Sequence, residues 1–331
     1  MDNQELYDIT IIGAGPTGLF GAFYAGMRRL KTKIIEALPE PGGQLGMLYP
    51  EKLIYDVPGY YEIKAKDLTR ELVRQIMRFP VTLCFEEQVE ALERLEDHTI
   101  AVQTSKTRHN TRALIITVGI GAFAPTKLKA ERADEFEGRG LDYYVRDTND
   151  YQGKRVLVIG GGERAVGWAS EIARVASRVF LIHHKDHFKG EEEPLEAARQ
   201  AGVEVRLRAQ VRAIHGNGQV EGVTLFNNQT NETSELAVEA LLVNQGYKAN
   251  LGLMQKWNLN ADKRYIPVNA RMETNVAGIY TAGGVTRQEG AEPLDLISTG
   301  FGQAAVAINY AAKYIDPSAP LFPGHSSEMK F

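Results

Sequence analysis

The residues best placed to do chemistry in this chain are glycines. Gly13-Ala14-Gly15-Pro16-Thr17-Gly18 follows the apolar run Tyr7-Asp8-Ile9-Thr10-Ile11-Ile12 and precedes residues 19–27, rich in Leu, Phe and Ala at helical spacing. A second run, Lys33-Ile34-Ile35, ends in an acid, Glu36, 18 residues beyond Gly18. Strand, Gly-x-Gly-x-x-Gly turn, helix and acid-tipped strand make a dinucleotide-binding unit. Gly13 permits the tight turn, Gly15 lets a pyrophosphate approach the backbone, and Gly18 lets helix and strand pack closely. The helix start, at Pro16 and Thr17, offers free N–H groups to phosphate, and Glu36 accepts from ribose hydroxyls.

A second unit begins at Arg155-Val156-Leu157-Val158-Ile159, followed by Gly160-Gly161-Gly162-Glu163-Arg164-Ala165. Gly160, Gly162 and Ala165 form the variant of the turn with alanine in third place. Its next strand, Val179-Phe180-Leu181-Ile182, runs into His183-His184-Lys185-Asp186-His187-Phe188-Lys189. Cations there suit an adenosine 2′-phosphate, whereas an acid would suit the bare ribose. The same cluster also reads as a solvated charged turn.

These turns need elements to hold them, and the elements define the fold. The glycine turns lie 147 residues apart, room for a domain each. Leu114-Ile115-Ile116-Thr117-Val118, Leu241-Leu242-Val243 and Ile279-Tyr280-Thr281 read as further buried strands, and 300–314 as an alanine-rich helix opening at Gly300-Phe301-Gly302-Gln303. Residues 67–79 read as a helix capped by Asp67. The expected fold is α/β, with two Rossmann-like three-layer nucleotide-binding domains, one inserted in the other. Residues 1–117 and 246–331 form the first, and 118–245 the insertion.

Composition narrows the function. At 331 residues, with 44% hydrophobic and 24% charged, the chain is globular rather than disordered or fibrous. A net charge of −4 draws in neither nucleic acid nor anionic lipid. The single cysteine, Cys84, excludes an intrachain disulfide, a CxxC pair and a cysteine-built zinc site, and no other metal cluster or catalytic triad stands out. The N-terminus, Met1-Asp2-Asn3-Gln4-Glu5, leaves no room for a signal peptide before the first strand, so a cytoplasmic protein without a membrane span is expected.

With Gly42-Gly43-Gln44-Leu45, the two nested units resemble the thioredoxin-reductase-like flavoproteins. Leu48-Tyr49-Pro50-Glu51-Lys52, Ile54-Tyr55-Asp56-Val57 and Met272-Glu273-Thr274-Asn275 are similar to the homodimeric ferredoxin–NADP reductases of that group. Where thioredoxin reductases carry CxxC ahead of the second turn, this chain has Leu141-Asp142-Tyr143-Tyr144-Val145-Arg146-Asp147, without sulfur.

The resemblance implies FAD in the first domain, held by Gly13, Gly15, Pro16, Thr17, Gly18, Glu36, Gln44, Leu45, Val89, Phe123 and Gly284. Tyr49 would stack on one ring face; His325 and Ser326 would cover the other from a C-terminal extension, in a homodimer. The start of the last helix would stabilise the reduced ring. It implies NADPH at Gly160, Gly162, Glu163, Arg164, Ala165, His183, His184, Lys185 and Lys189. Hydride transfer to flavin N5 would then feed electrons singly to ferredoxin or flavodoxin, with Arg28, Arg29, Lys31 and Lys33 reading either as a solvated charged face or as a docking patch for that acidic partner. The alternatives are a flavoprotein electron carrier with a degenerate NADPH site, fed by another donor, and a non-catalytic nucleotide-binding regulator.

Three departures from the group's pattern bear on affinity. Its Ala-Gly-Asp reads Ala282-Gly283-Gly284, its Asp-Ser after the second glycine turn reads Glu163-Arg164, and its arginine cluster has become His183, His184, Lys185 and Lys189. Loss of the aspartate implies looser FAD, or a water in the carboxylate's place. A longer acid beside the phosphate site, unless Arg164 offsets it, and cations without arginine's fork imply weaker NADPH binding. Binding of NADPH, measured by titration, is expected to tighten from pH 8 to pH 6; equal affinity would remove the histidines from the phosphate site.

Overall fold

The computed structural model describes residues 5–48, 50, 52–119, 121–145, 147–188, 192–250, 257–262 and 264–328; for 48, 122–124 and 247–250 it describes the backbone only. The chain forms two compact units, Met1–Phe123 with Ala249–Phe331, and Ala124–Lys248.

The first unit is built on β1 (Leu6–Ile12), which pairs in parallel with β2 (Thr32–Ile35) on one side and with Arg108–Ile116 on the other. Thr82–Cys84 extends the sheet beyond β2. The strand Ile279–Thr281 pairs in parallel with the C-terminal half of Arg108–Ile116, so the chain returns to its first sheet after building the second unit. Ile9, Ile11, Ile34 and Ile115 are fully buried, as strands covered on both faces require. The helix α1 (Pro16–Met27) buries Gly18, Gly21, Ala22, Ala25 and Gly26. These small residues, with Ala304, Ala307 and Ala311 of the last helix, let the two helices approach closely over the sheet.

The second unit has a parallel sheet in the order Leu141–Asp142, Ala240–Asn244, Arg155–Gly160, Arg178–Ile182, Glu204–Arg206. The helix Glu163–Ile172 follows its glycine turn, and a separate antiparallel sheet joins Ala209–His215, Gly222–Asn227 and Thr233–Leu236.

Two expected helix starts are corrected. The helix Ala65–Ile76 begins ahead of Asp67, with Lys64 at the cap position and no side-chain cap. Asp67 instead lies in the first turn, paired with Arg70 at 3.0 Å, where the positive helix end favours an acid without its being the cap. The last helix spans Ile297–Ile315, so Gly300 is inside it rather than at its start. A Cβ at Gly300 would lie 2.3 Å from Thr17 Oγ1, which makes this glycine a packing requirement of α1 against the last helix.

Candidate cofactor and nucleotide sites

The first glycine turn is held by three close approaches. Gly13 has φ +105°, and a Cβ there would come within 2.8 Å of the Thr117 carbonyl. A Cβ at Gly18 would lie 1.9 Å from the Gly13 carbonyl oxygen. The Thr117 hydroxyl lies 2.9 Å from the Ile12 carbonyl oxygen and 3.0 Å from that of Gly13, pinning the end of β1. Gly15 is different. It precedes α1 with φ −69° and ψ 178°, backbone that any residue adopts, and a Cβ there would meet no protein atom within 4 Å. Packing demands glycine at 13 and 18; at 15 it leaves open the space in front of a helix N-terminus, the cradle a pyrophosphate needs.

Glu36 ties β2 to the turn. Its Oε2 accepts the Ala14 N–H at 2.7 Å and its Oε1 the Leu38 N–H at 3.0 Å. Burial pushes this carboxyl above the ordinary carboxylate range, against the lowering effect of the backbone N–H groups of Ala14, Leu38 and Ala37. Each oxygen keeps a lone pair, and Glu36 lines a cleft with Gly13, Gly15, Pro16, Thr17, Gln44, Leu45, Val89 and Gly284. Gln44 and Leu45 arrive there because the Gly42 N–H donates to the Ala14 carbonyl (2.8 Å), which folds Gly43 (φ +52°) against Gly15. These residues therefore fit an ADP-containing cofactor: a cleared pyrophosphate cradle beside a carboxylate able to accept ribose hydroxyls.

The cleft also gathers residues that the motifs did not indicate: Glu87, Gln88, Thr117, Val118, Trp257, Asp295 and Ile297. Glu87 belongs to a buried network in which Lys33 Nζ donates to His109 Nδ1 (2.7 Å) and His109 Nε2 donates to Glu87 (2.6 Å). Burial raises the Glu87 carboxyl, but hydrogen bonds from Thr104 and His109 outweigh that and hold it low. Cys84, Glu87 and His109 stand close enough to share a metal, yet the Lys33 ammonium already takes His109 Nδ1 and balances the carboxylate.

Tyr49 and Lys189 fall outside the described residues, as does the Phe123 side chain. His325 and Ser326 do not line the cleft of their own chain. Arg28, at the far end of α1, holds the preceding segment by donating to the Pro320 and Leu321 carbonyls. Of the expected docking patch, Lys33 is buried in the network above, Arg28 donates to the C-terminal segment, and Lys31 pairs at the surface with Glu5 (2.6 Å).

In the second unit, Gly160 and Ala165 are in packing contact: a Cβ at 160 would lie 2.7 Å from the Ala165 Cβ and 2.4 Å from the Asn244 carbonyl oxygen. Gly162, at the helix cap position, repeats Gly15, since a Cβ there meets nothing within 4 Å. Glu163 is exposed in the first helical turn, and Arg164 lies beside it. His183 is buried with its ring over Gly161, where a Cβ would come within 2.1 Å of it, so it braces the turn, while His184 and Lys185 are exposed at the strand end. The fold adds a cation the motif did not name: Arg208 pairs with Asp186 at 3.2 Å, and its N–H donates to the Lys185 carbonyl.

Two substitutions separate cradle from scaffold. Gly15→Ala is expected to lower FAD affinity at least about tenfold while leaving the apoprotein melting temperature within about 2 °C of wild type. Gly18→Ala is expected to destabilise the fold by about 1–3 kcal/mol. Flavin fluorescence and thermal melts check both.

The family model for pyridine nucleotide-disulphide oxidoreductases matches residues 7–311. The chain is 44% identical over 330 residues to ferredoxin–NADP reductase 2 of Shouchella clausii, covering 99% of each. It is 46% identical over 332 residues to ferredoxin–NADP reductase of Symbiobacterium thermophilum, covering 99% of this chain and 98% of that one. Among solved structures it is similar to thioredoxin reductase of Lactococcus lactis, with TM-score 0.62 and 26% identity over 93% of this chain and 99% of that one. A chain with two nested nucleotide folds, cleared glycine cradles and this full-length likeness belongs to the pyridine nucleotide-disulphide oxidoreductase family.

Proposed function

We propose that this protein is an FAD-dependent ferredoxin–NADP reductase, passing electrons between NADPH and ferredoxin or flavodoxin. The observation that carries the reading is near-full-length identity of 44–46% to enzymes of that name. When bound, FAD supplies the exchange between a two-electron donor and a one-electron carrier. The chain's own residues hold and orient the two nucleotides. The N–H groups opening α1 receive the FAD pyrophosphate, Glu36 accepts from the adenosine ribose, and Gln44 and Leu45 border the flavin half, with Tyr49 against the ring. The N-terminal end of the last helix, at Leu296 and Ile297, brings its positive pole to the cleft.

In the second unit, the helix start at Gly162 receives the NADPH pyrophosphate, and His184, Lys185 and Lys189 meet the 2′-phosphate. His183 supports the turn from beneath. Glu163 opposes phosphate, so NADPH binding is weaker than an uncharged helix start would give.

The C-terminal segment favours a homodimer. Arg28 holds it beside the far end of α1, and Leu321 and Phe322 are 41% and 61% exposed, an apolar surface for a second copy whose flavin His325 and Ser326 would cover. No described helix is long and apolar enough to cross a membrane, and a cytoplasmic location agrees with a single cysteine in the chain.

Anaerobic mixing of the yellow protein with NADPH or NADH tests the reading. NADPH is expected to bleach the flavin faster, and ferredoxin to restore the colour. Bleaching by dithionite alone would leave an electron carrier, and faster bleaching by NADH would overturn the 2′-phosphate assignment. Cys84→Ser is expected to leave NADPH-driven turnover unchanged, since burial raises its thiol and no second cysteine exists to pair with it.

A further inference from the structure

Gly284 is glycine for a reason that its backbone does not supply. Its φ lies outside the left-handed region, so any residue could adopt it. What a side chain would displace is Asp295: a Cβ at position 284 would lie 2.4 Å from Asp295 Oδ1 and 2.9 Å from its Cγ. The carboxyl group of Asp295 thus occupies the volume into which a side chain at 284 would project. Both residues line the cofactor cleft, and Asp295 is exposed there. It makes no hydrogen bond or ion pair among the described residues.

We propose that Asp295 is an FAD-binding residue, delivering to the cleft the carboxylate that position 284 lacks. An ionised carboxylate only accepts hydrogen bonds, so it matches hydroxyl groups and repels phosphate. FAD carries hydroxyls on its adenosine ribose and on its ribityl chain. Glu36 serves the ribose at the tip of β2. Gly284 follows the strand Ile279–Thr281, which flanks Arg108–Ile116 on the side away from β1 and β2, so Asp295, against Gly284, lies across the sheet from Glu36. Its partner is therefore the ribityl chain. Asp295 immediately precedes Leu296, the cap position of the last helix, so the element that brings a positive pole to the cleft also positions this acid. An acid lost from one loop is thereby supplied from another, and the looser FAD binding implied by Gly284 alone does not follow.

This inference rests on FAD occupying the first unit, and a position exchange tests it. Holoprotein is diluted and FAD release is followed by flavin fluorescence for wild type, Asp295→Ala, Gly284→Asp and the double variant, with apoprotein melting temperature as a second readout. Asp295→Ala is expected to weaken FAD binding about tenfold to a hundredfold without lowering the melting temperature. Gly284→Asp alone is expected to weaken it too, by forcing two carboxylates into one volume, and the double variant to recover to within about threefold of wild type. Wild-type retention in Asp295→Ala, a lower melting temperature with unchanged affinity, or a double variant no better than the singles would overturn the assignment while leaving the FAD reading intact. A wild-type protein that retains no FAD would sink that reading first.

Discussion

Everything at the N-terminal site depends on one contact with no room to spare. The helix α1 can follow β1 at this angle only because Gly18 presents no side chain to the Gly13 carbonyl. Thr117 pins the same carbonyl from the neighbouring strand, and Glu36 holds the Ala14 N–H from β2. Three parallel strands are thereby locked to one turn. The turn in turn aims a helix N-terminus at space that Gly15 leaves open, so the rigidity of the sheet becomes the precision of a phosphate cradle.

Charge is handled by the same economy. Glu36 is buried and held by backbone N–H groups, so it keeps an acceptor for ribose without a counter-ion beside it. Glu87, also facing the cleft, is balanced by a relay through His109 to Lys33. Removing either partner would strand a buried charge, which is why the network reads as structural support beside the cleft and not as a metal centre. The last helix closes the opposite side, close to α1 because Gly283 and Gly300 accommodate Thr17.

Much of this was legible in the sequence because glycine placement carries unusually direct physical meaning. Gly13, Gly18 and Gly160 stand where a Cβ would collide, and Gly15 and Gly162 where a Cβ would meet only open space in front of a helix start. Buried parallel strands, written as apolar runs, were equally plain. Antiparallel strands such as Val89–Arg94, Val-Glu-Ala-Leu-Glu-Arg, are not legible in the same way, because a half-exposed strand gives a short and polar pattern. Asp67 imitated a cap since first-turn acids and caps answer to the same helix field. The histidine cluster reads as equivalent cations, yet it lies just past the strand Arg178–Ile182, where the His183 ring packs against Gly161 and His184 is exposed, a difference set by tertiary packing that no local pattern carries. Asp295, Arg208 and Glu87 belong to no motif; only the fold brings them to their sites, and for Asp295 the one sequence signal was the oddity of Gly284.

The central claim is that the first unit holds a flavin dinucleotide through its glycine turn and Glu36. The most direct measurement is the absorption spectrum of the purified chain together with the identity and amount of the chromophore released on denaturation. A yellow protein releasing one FAD per chain is the expected result. A colourless protein that takes up no added FAD, or one that releases a different chromophore, would contradict the account.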